Sequence, residues 1–305
     1  MKTKKKKINR ISLQLYSMCS IAIISVFVFN YLPMVGVVLA FKNNKYSRGI
    51  FGSDWVGFKN FEYFFKSSDF AVITRNTLLL NTIFIVTGII AALFVAIMLY
   101  YVKSRAKTKV FQTVLITPHF LSWVVVSYMV FAILNPTYGL LNSVLAKFGI
   151  DNIDWYSKPE VWPLILTIFS IWKHVGMDSV VYYAALMGVD ESIIEAAEVD
   201  GATKFQKTVY VILPTLIPLI TILTILKIGN IFRADFGLFY QLTRDVGALY
   251  PTTDVIDTYI FRTMRVVGDM GMGSAVGLVQ SIVGLVLVIA TNAAAKKIDP
   301  DSALF

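Results

Sequence analysis

Five ionisable side chains sit inside long apolar stretches of this sequence: His119, Lys173, His174, Asp178 and Lys227. An ionisable group at the centre of a membrane helix costs about 2.5–3.5 kcal/mol on insertion scales, so such groups are functional candidates by default. His174 and Asp178 are four residues apart, which puts them on one helix face. With Trp172, Lys173, Tyr182, Lys227 and Asn230 they form a candidate solute pathway, a polar and aromatic lining inside an apolar wall. The alternative for His174 and Asp178 is a satisfied pair that holds helix packing. Lys227 either joins that lining or snorkels outward. His119 follows Pro118, which is placed to kink its helix.

A second group of residues lies between two apolar runs. It reads Asp190-Glu191-Ser192-Ile193-Ile194-Glu195-Ala196-Ala197-Glu198-Val199-Asp200-Gly201-Ala202-Thr203-Lys204-Phe205 and continues to Ile212-Leu213-Pro214. Glu, Ala and Ile favour a helix, and Asp190 or Ser192 is suited to cap it. Asp200-Gly201 is a helix stop and turn, after which 202–207 starts a second helix. Small residues at Ala196, Ala197, Gly201 and Ala202 let another protein's backbone approach closely, while Glu195 and Glu198 add anionic contacts. The plain alternative is a solvated helical hairpin.

The elements that must position these groups are apolar helices. The chain has 305 residues, 56% of them apolar and only 15% charged, with a formal charge of +9. That hydrophobicity excludes a disordered chain, and a single cysteine excludes a disulfide scaffold. Six runs reach the roughly 20 residues that cross a bilayer. They are Ile11–Phe41, Asn76–Tyr101, Val110–Leu134, Trp162–Gly188, Thr208–Phe232 and Gly271–Ala295. Leu278–Ala290 has almost no polar face, unlike a helix of a soluble bundle. The first run is too long for a signal-peptide core and lacks a cleavage site after it. Tyr16-Ser17-Met18 before Cys19 is a poor lipoprotein signal, so Cys19 reads as a membrane thiol.

Charge sets the expected orientation. Segments 1–10, 102–109, 188–207 and 296–305 hold 14 Lys and Arg in 48 residues, whereas 42–75, 135–161 and 233–270 hold 12 in 99. The positive-inside rule therefore puts both termini and the 190–207 loop in the cytoplasm. The expected architecture is an all-α integral membrane protein of six transmembrane helices. It comprises a basic cytoplasmic tail 1–10, a transmembrane domain 11–295 and a cytoplasmic tail 296–305. Lys4–Lys7 suit contact with anionic lipid. No aromatic platform accompanies them, so nucleic acid is not an expected partner.

Catalytic signatures are missing. Gly-Lys occurs nowhere, which excludes a Walker A loop, and neither His-Glu-x-x-His nor Cys-x-x-Cys is present. No catalytic residue, metal site or cofactor is expected in this chain. An intramembrane enzyme built on His119, His174 and Asp178 would lack a nucleophile. Energy for active transport would come from an ion gradient or from a partner.

The stretch Glu195-Ala196-Ala197, Asp200-Gly201-Ala202 and Ile212-Leu213-Pro214 resembles the EAA loop of permease subunits of binding-protein-dependent ABC importers. Trp172, Gly176 and Ala185-Leu186 fit the approach helix of that family, and the resemblance runs from the second apolar run to the end. It implies a type I importer permease fold with 190–207 as a coupling loop. Glu195, Ala196, Ala197, Asp200, Gly201 and Ala202 would then meet an ATPase subunit. ATP and magnesium would belong to two partner ATPase subunits. A second permease would complete a heterodimer, in a bacterial plasma membrane.

Tyr31-Leu32-Pro33-Met34-Val35-Gly36, with Trp55-Val56-Gly57 and Asn60-Phe61, is similar to the start of polysaccharide-type permeases. That resemblance implies carbohydrate, specifically oligosaccharide, as solute. Trp123, Tyr183 and Tyr240 join the aromatic candidates for sugar faces. An extracytoplasmic binding protein would meet segment 233–270, with Phe236, Tyr240 and Arg244 as candidate contacts. The rivals are the same importer type carrying another solute, and a secondary transporter.

Overall fold

The computed structural model describes residues 10–298. The lysine run 2–7 and the last seven residues lie outside the described residues. Apart from two short strands, the regular elements described are helical.

Nine helices carry the architecture: α1 (Arg10–Val26), α2 (Ser68–Tyr100), α3 (Arg105–Ile116), α4 (Trp123–Leu134), α5 (Trp162–Leu186), α6 (Glu191–Val199), α7 (Leu213–Gly229), α8 (Phe236–Thr243) and α9 (Met270–Ile298). Five spans are long and apolar enough to cross a membrane: Gln14–Phe41, Ser68–Tyr100, Pro159–Leu186, Lys204–Gly229 and Met270–Lys297. α1 continues through a π turn at Phe27–Tyr31 into a 3-10 stretch Leu32–Phe41. α2 has 33 residues, about 50 Å at 1.5 Å per residue, so it overruns the roughly 30 Å hydrocarbon layer.

The third apolar run departs from the sequence expectation. Val110–Leu134 is not one helix: Arg105–Phe120 and Trp123–Leu134 meet at 96°. The causes are local. Pro118 opens a tight 3-10 turn over Thr117–Phe120, and Leu121 and Ser122 are extended, with ψ of 135° and 149°. The Ser122 hydroxyl then caps α4 by accepting from the Val125 amide at 3.3 Å. Kink and break differ because the chain restarts with its own cap.

α2 and α5 run against each other, and three buried clusters hold the rest. Trp162, Leu166, Val126, Val130 and Leu242 centre the first; Tyr182, Leu186, Ile212 and Leu216 the second; Phe64, Ile73 and Ile256 the third. Large apolar side chains also point outward on every long helix, among them Ile90, Phe94, Ile282 and Leu285. In water that surface would drive aggregation; in lipid it is the solvent-facing side.

Interrupted helices leave backbone carbonyls that lipid cannot satisfy. Long-range amides do so here. Asn81 of α2 donates to Ile231 O and Arg233 O, just past the end of α7. Asn76 donates to Asp254 O, and Gln280 of α9 donates to Phe232 O. Asn60 reaches Ala40 O and Lys42 O, where β1 (Lys42–Asn43) leaves the first span to pair antiparallel with β2 (Asp54–Trp55).

Candidate functional site

A cavity of ≈ 510 Å³ opens between α2, α5 and α7. His174 and Asp178 face it from α5, Lys227 from α7, and Asn230 from just beyond α7. The i, i+4 spacing on α5 accounts for the first two. Asp178 pairs with Lys227 at 2.6 Å, so its partner is on another helix rather than at His174. His174 donates through Nδ1 to Ser170 O at 2.9 Å, and Asn230 donates to Leu226 O at 3.0 Å. Four of the sequence-expected pathway residues are thus gathered in one place.

Three expected pathway residues are elsewhere, two held by packing and one by hydrogen bonds. Trp172 packs edge-on to Phe169 against the first cluster. Tyr182 is 2% exposed, inside the second. Lys173 is 6% exposed and turned away from the cavity into the break between α3 and α4. Conversely, Asn81, Arg233 and Asp235 line the cavity and were not expected to. Asn81 was the one with a signal, an amide inside an apolar run. Arg233 and Asp235 belong to segment 233–270, expected to meet an extracytoplasmic partner, and they reach the cavity through the turn of the chain after α7.

The break supplies a second polar centre behind the cavity wall. The Lys173 ammonium donates to the carbonyls of Pro118, His119 and Leu121 and lies 4.9 Å from the centre of the Trp123 ring. Trp123 Nε1 donates to Asp235 Oδ2 at 2.8 Å. Asp235 in turn caps α8, its Oδ1 accepting from the Leu238 amide at 3.2 Å. Gly237 must be a glycine here, because a Cβ would lie 2.2 Å from Trp123 Cδ1. Gly176 permits the α5–α3 crossing in the same way: its Cβ would lie 1.9 Å from Leu115 O.

The 190–207 segment is a protruding hairpin. Asp190 caps α6 by accepting from the Ser192 amide at 2.9 Å, which holds its carboxyl below the ordinary aspartate value. α6 ends where Gly201 adopts φ +78°, and Ala202 N donates back to Ala197 O at 2.9 Å. Thr203 and Gln206 form a reciprocal capping box at the next turn, Lys204–Lys207. Lys207, nearly buried, reaches back to Glu198 and pulls that carboxyl below the ordinary glutamate value. Glu198 is therefore engaged inside the hairpin, whereas Glu195, Ala196 and Asp200 are exposed. Val199 is 88% exposed, and a Cβ at Gly201 would meet only open space.

Phe236 and Tyr240 of α8 are half-buried, stacked at 5.0 Å and closed by Phe261 at 4.9 Å from each. They fold back on the chain rather than standing free. Arg244 is exposed, with φ +56° and its guanidinium 4.1 Å from the Phe131 ring. Among the described residues, no group of three or more His, Cys, Asp or Glu is placed to hold a metal ion.

Residues 84–302 match the family described as binding-protein-dependent transport system inner membrane component. Protein LplB of Bacillus subtilis (strain 168) is 33% identical, covering 90% of this chain and 86% of the relative. The polygalacturonan/rhamnogalacturonan transport system permease protein YteP of the same organism is 32% identical, covering 93% and 88%. Among solved structures, a chain of a bacterial ABC transporter involved in the import of the acidic polysaccharide alginate superposes with a TM-score of 0.86 at 32% identity, over 95% of this chain and 97% of that one. A bacterial alginate ABC transporter has also been solved with an alginate pentasaccharide-bound periplasmic protein.

Proposed function

Because the chain belongs to the family of binding-protein-dependent transport system inner membrane components, we propose that it is a translocation subunit importing oligosaccharide at the expense of a partner's ATP hydrolysis. The observation that carries this reading is the likeness in sequence and fold to the alginate importer chain over 95% of the length. YteP adds a second relative named for polysaccharide transport.

The cavity between α2, α5 and α7 is the part of the solute path that this subunit contributes. Asp178, Lys227, Asn230 and His174 offer donors and acceptors to sugar hydroxyls. A second permease closes the open side. The 190–207 hairpin is the lever: its exposed Glu195, Ala196, Asp200 and Gly201 dock against an ATPase subunit, and Val199 supplies the apolar contact. ATP and magnesium sit on the two ATPase subunits. The hairpin faces the cytoplasm of a bacterial cell, and an extracytoplasmic binding protein delivers solute on the other side. There Arg244 is the exposed contact, with Phe236 and Tyr240 supporting its helix from below.

Purification from membranes in mild detergent, with identification of the co-purifying chains, tests the assignment. An ATPase and a second permease are expected. A chain recovered alone and still competent for uptake would contradict it.

A further inference from the structure

The break between α3 and α4 contains an arrangement that the transport reading leaves unexplained. Three backbone carbonyls, from Pro118, His119 and Leu121, converge on one point inside the protein. Carbonyls at unwound helix ends are the groups with which other transporters bind a coupling cation. In this chain the point is filled by the Lys173 ammonium, which has three N–H donors for three acceptors. Among the described residues, no carboxylate lies within ion-pair distance of it. Its charge is balanced by carbonyl dipoles and by the face of Trp123 at 4.9 Å. The Pro118 carbonyl also accepts from the Leu121 amide at 3.1 Å, so removing the side chain would leave the His119 and Leu121 carbonyls without this donor, at a position where Lys173 is 6% exposed.

We propose that Lys173 is a tethered cation that takes the place of a bound ion at the helix break, and that it positions Trp123 and Asp235 for solute passage. The connection is contiguous. Lys173 fixes the carbonyls of the break and the Trp123 ring; Trp123 donates to Asp235; Asp235 lines the cavity and caps α8. Trp123 also lies 6.2 Å from the ring of cavity-lining His174. Lys173 is thus a positioning residue, and the inference rests on the cavity being the solute path. On this reading the break needs no free coupling ion, because the cation is part of the chain.

The test uses the assembled transporter with its partner subunits and binding protein in proteoliposomes, with radiolabelled maltotriose and trigalacturonate as probes. Lys173→Met keeps the volume and loses the charge and donors. It is expected to lower uptake at least about tenfold with unchanged co-purification of partners, since hydrogen bonds to a charged group are each worth more than that factor. Lys173→Arg is expected to stay within about threefold of wild type. Lys173→Ala is expected to recover at least about threefold on addition of n-propylammonium, which restores the missing atoms, and not with tetramethylammonium, which has no N–H to donate. Wild-type uptake in Lys173→Met overturns the proposal, as does a loss that neither Lys173→Arg nor propylammonium repairs. If Lys173→Met does not assemble, Trp123→Phe decides: it keeps the ring face and removes the donor to Asp235. Reduced uptake in assembled Trp123→Phe supports the proposal and unchanged uptake overturns it. Uptake of neither sugar by wild type would fault the carbohydrate reading, and binding-protein-stimulated ATP hydrolysis then reads the same variants.

Discussion

Asp178 Oδ2 and Lys227 Nζ lie 2.6 Å apart and join α5 to α7 at the wall of the cavity. Both side chains are about one-third exposed, at 32% and 35%, so the pair is screened and its coupling is about 1 kcal/mol rather than the several of a buried pair. Asp178→Ala is expected to lower uptake by about threefold to tenfold at normal membrane levels. The exchange Asp178→Lys with Lys227→Asp should recover part of that loss, as a double-mutant cycle would report. Uptake kinetics unchanged in Asp178→Ala would leave the pair with a packing role only.

Gly201 is the turn of the hairpin, with φ +78° and no atom within 4 Å of where a Cβ would stand. Alanine there meets no clash inside the chain and costs about 1 kcal/mol of backbone strain. A tryptophan would project into the space assigned to the ATPase subunit. Gly201→Trp is expected to leave the protein in the membrane while separating ATP hydrolysis from uptake; Gly201→Ala should do so far less. Equal, normal uptake in both variants would remove the hairpin from the coupling path.

Glu198 is held below the ordinary glutamate value by its hydrogen bond to Lys207 and by that charge. A carboxyl depressed in the folded state stabilises the fold above its unfolded value, and the contribution disappears as pH falls through the lower folded value. The hairpin should therefore keep this clasp at neutral pH and lose it only in acid, below the ordinary glutamate range. Carboxyl NMR titration is expected to place the Glu198 midpoint under that of free glutamate and to return it there in Lys207→Met. A midpoint unmoved by Lys207→Met would mean that the pair is absent in the membrane-bound protein.

Gly176 lets α5 cross α3 with almost no gap, since a Cβ would fall 1.9 Å from Leu115 O and 2.3 Å from Leu115 C. The contact is backbone, which cannot rotate aside. Gly176→Ala is expected to destabilise the detergent-solubilised complex by about 1–3 kcal/mol, the usual range for overpacking, and to lower its thermal midpoint. An unchanged midpoint would show that the two helices can separate at no cost.

Much of this architecture is legible in the sequence because lipid imposes one rule on every span, a long run without charge. The runs ending at Phe41 and Gly188, and the one around 271–295, lie within a few residues of observed helices at both ends, whereas the run ending at Tyr101 begins eight residues inside its helix, Ser68–Tyr100. The hairpin is legible too, because Asp190, Gly201 and Thr203 act on their own neighbours, as cap and turn residues do. What fails is whatever depends on a distant partner. Pro118 signals a kink, but the break that follows it is held by Lys173, up to 55 residues away, which donates to the carbonyls of Pro118, His119 and Leu121. Helical spacing placed His174 and Asp178 on one face, yet could not say that Lys173 beside them turns the other way. Arg233 and Asp235 come to the cavity because Asn81 and Gln280 hold the backbone just before them, at Ile231 to Arg233. Amide-to-carbonyl contacts across 48 and more residues leave no local periodicity.

If ATP hydrolysed by a partner drives oligosaccharide through a path that includes Asp178 and Lys227, uptake of radiolabelled trigalacturonate and maltotriose into proteoliposomes will show it, with the purified complex in the bilayer, binding protein outside and ATP trapped inside. At least one sugar should accumulate against its gradient when ATP, ATPase subunits and binding protein are all present, and fail to when any of the three is left out. Accumulation driven by a sodium or proton gradient without ATP would show instead that the chain is a secondary transporter.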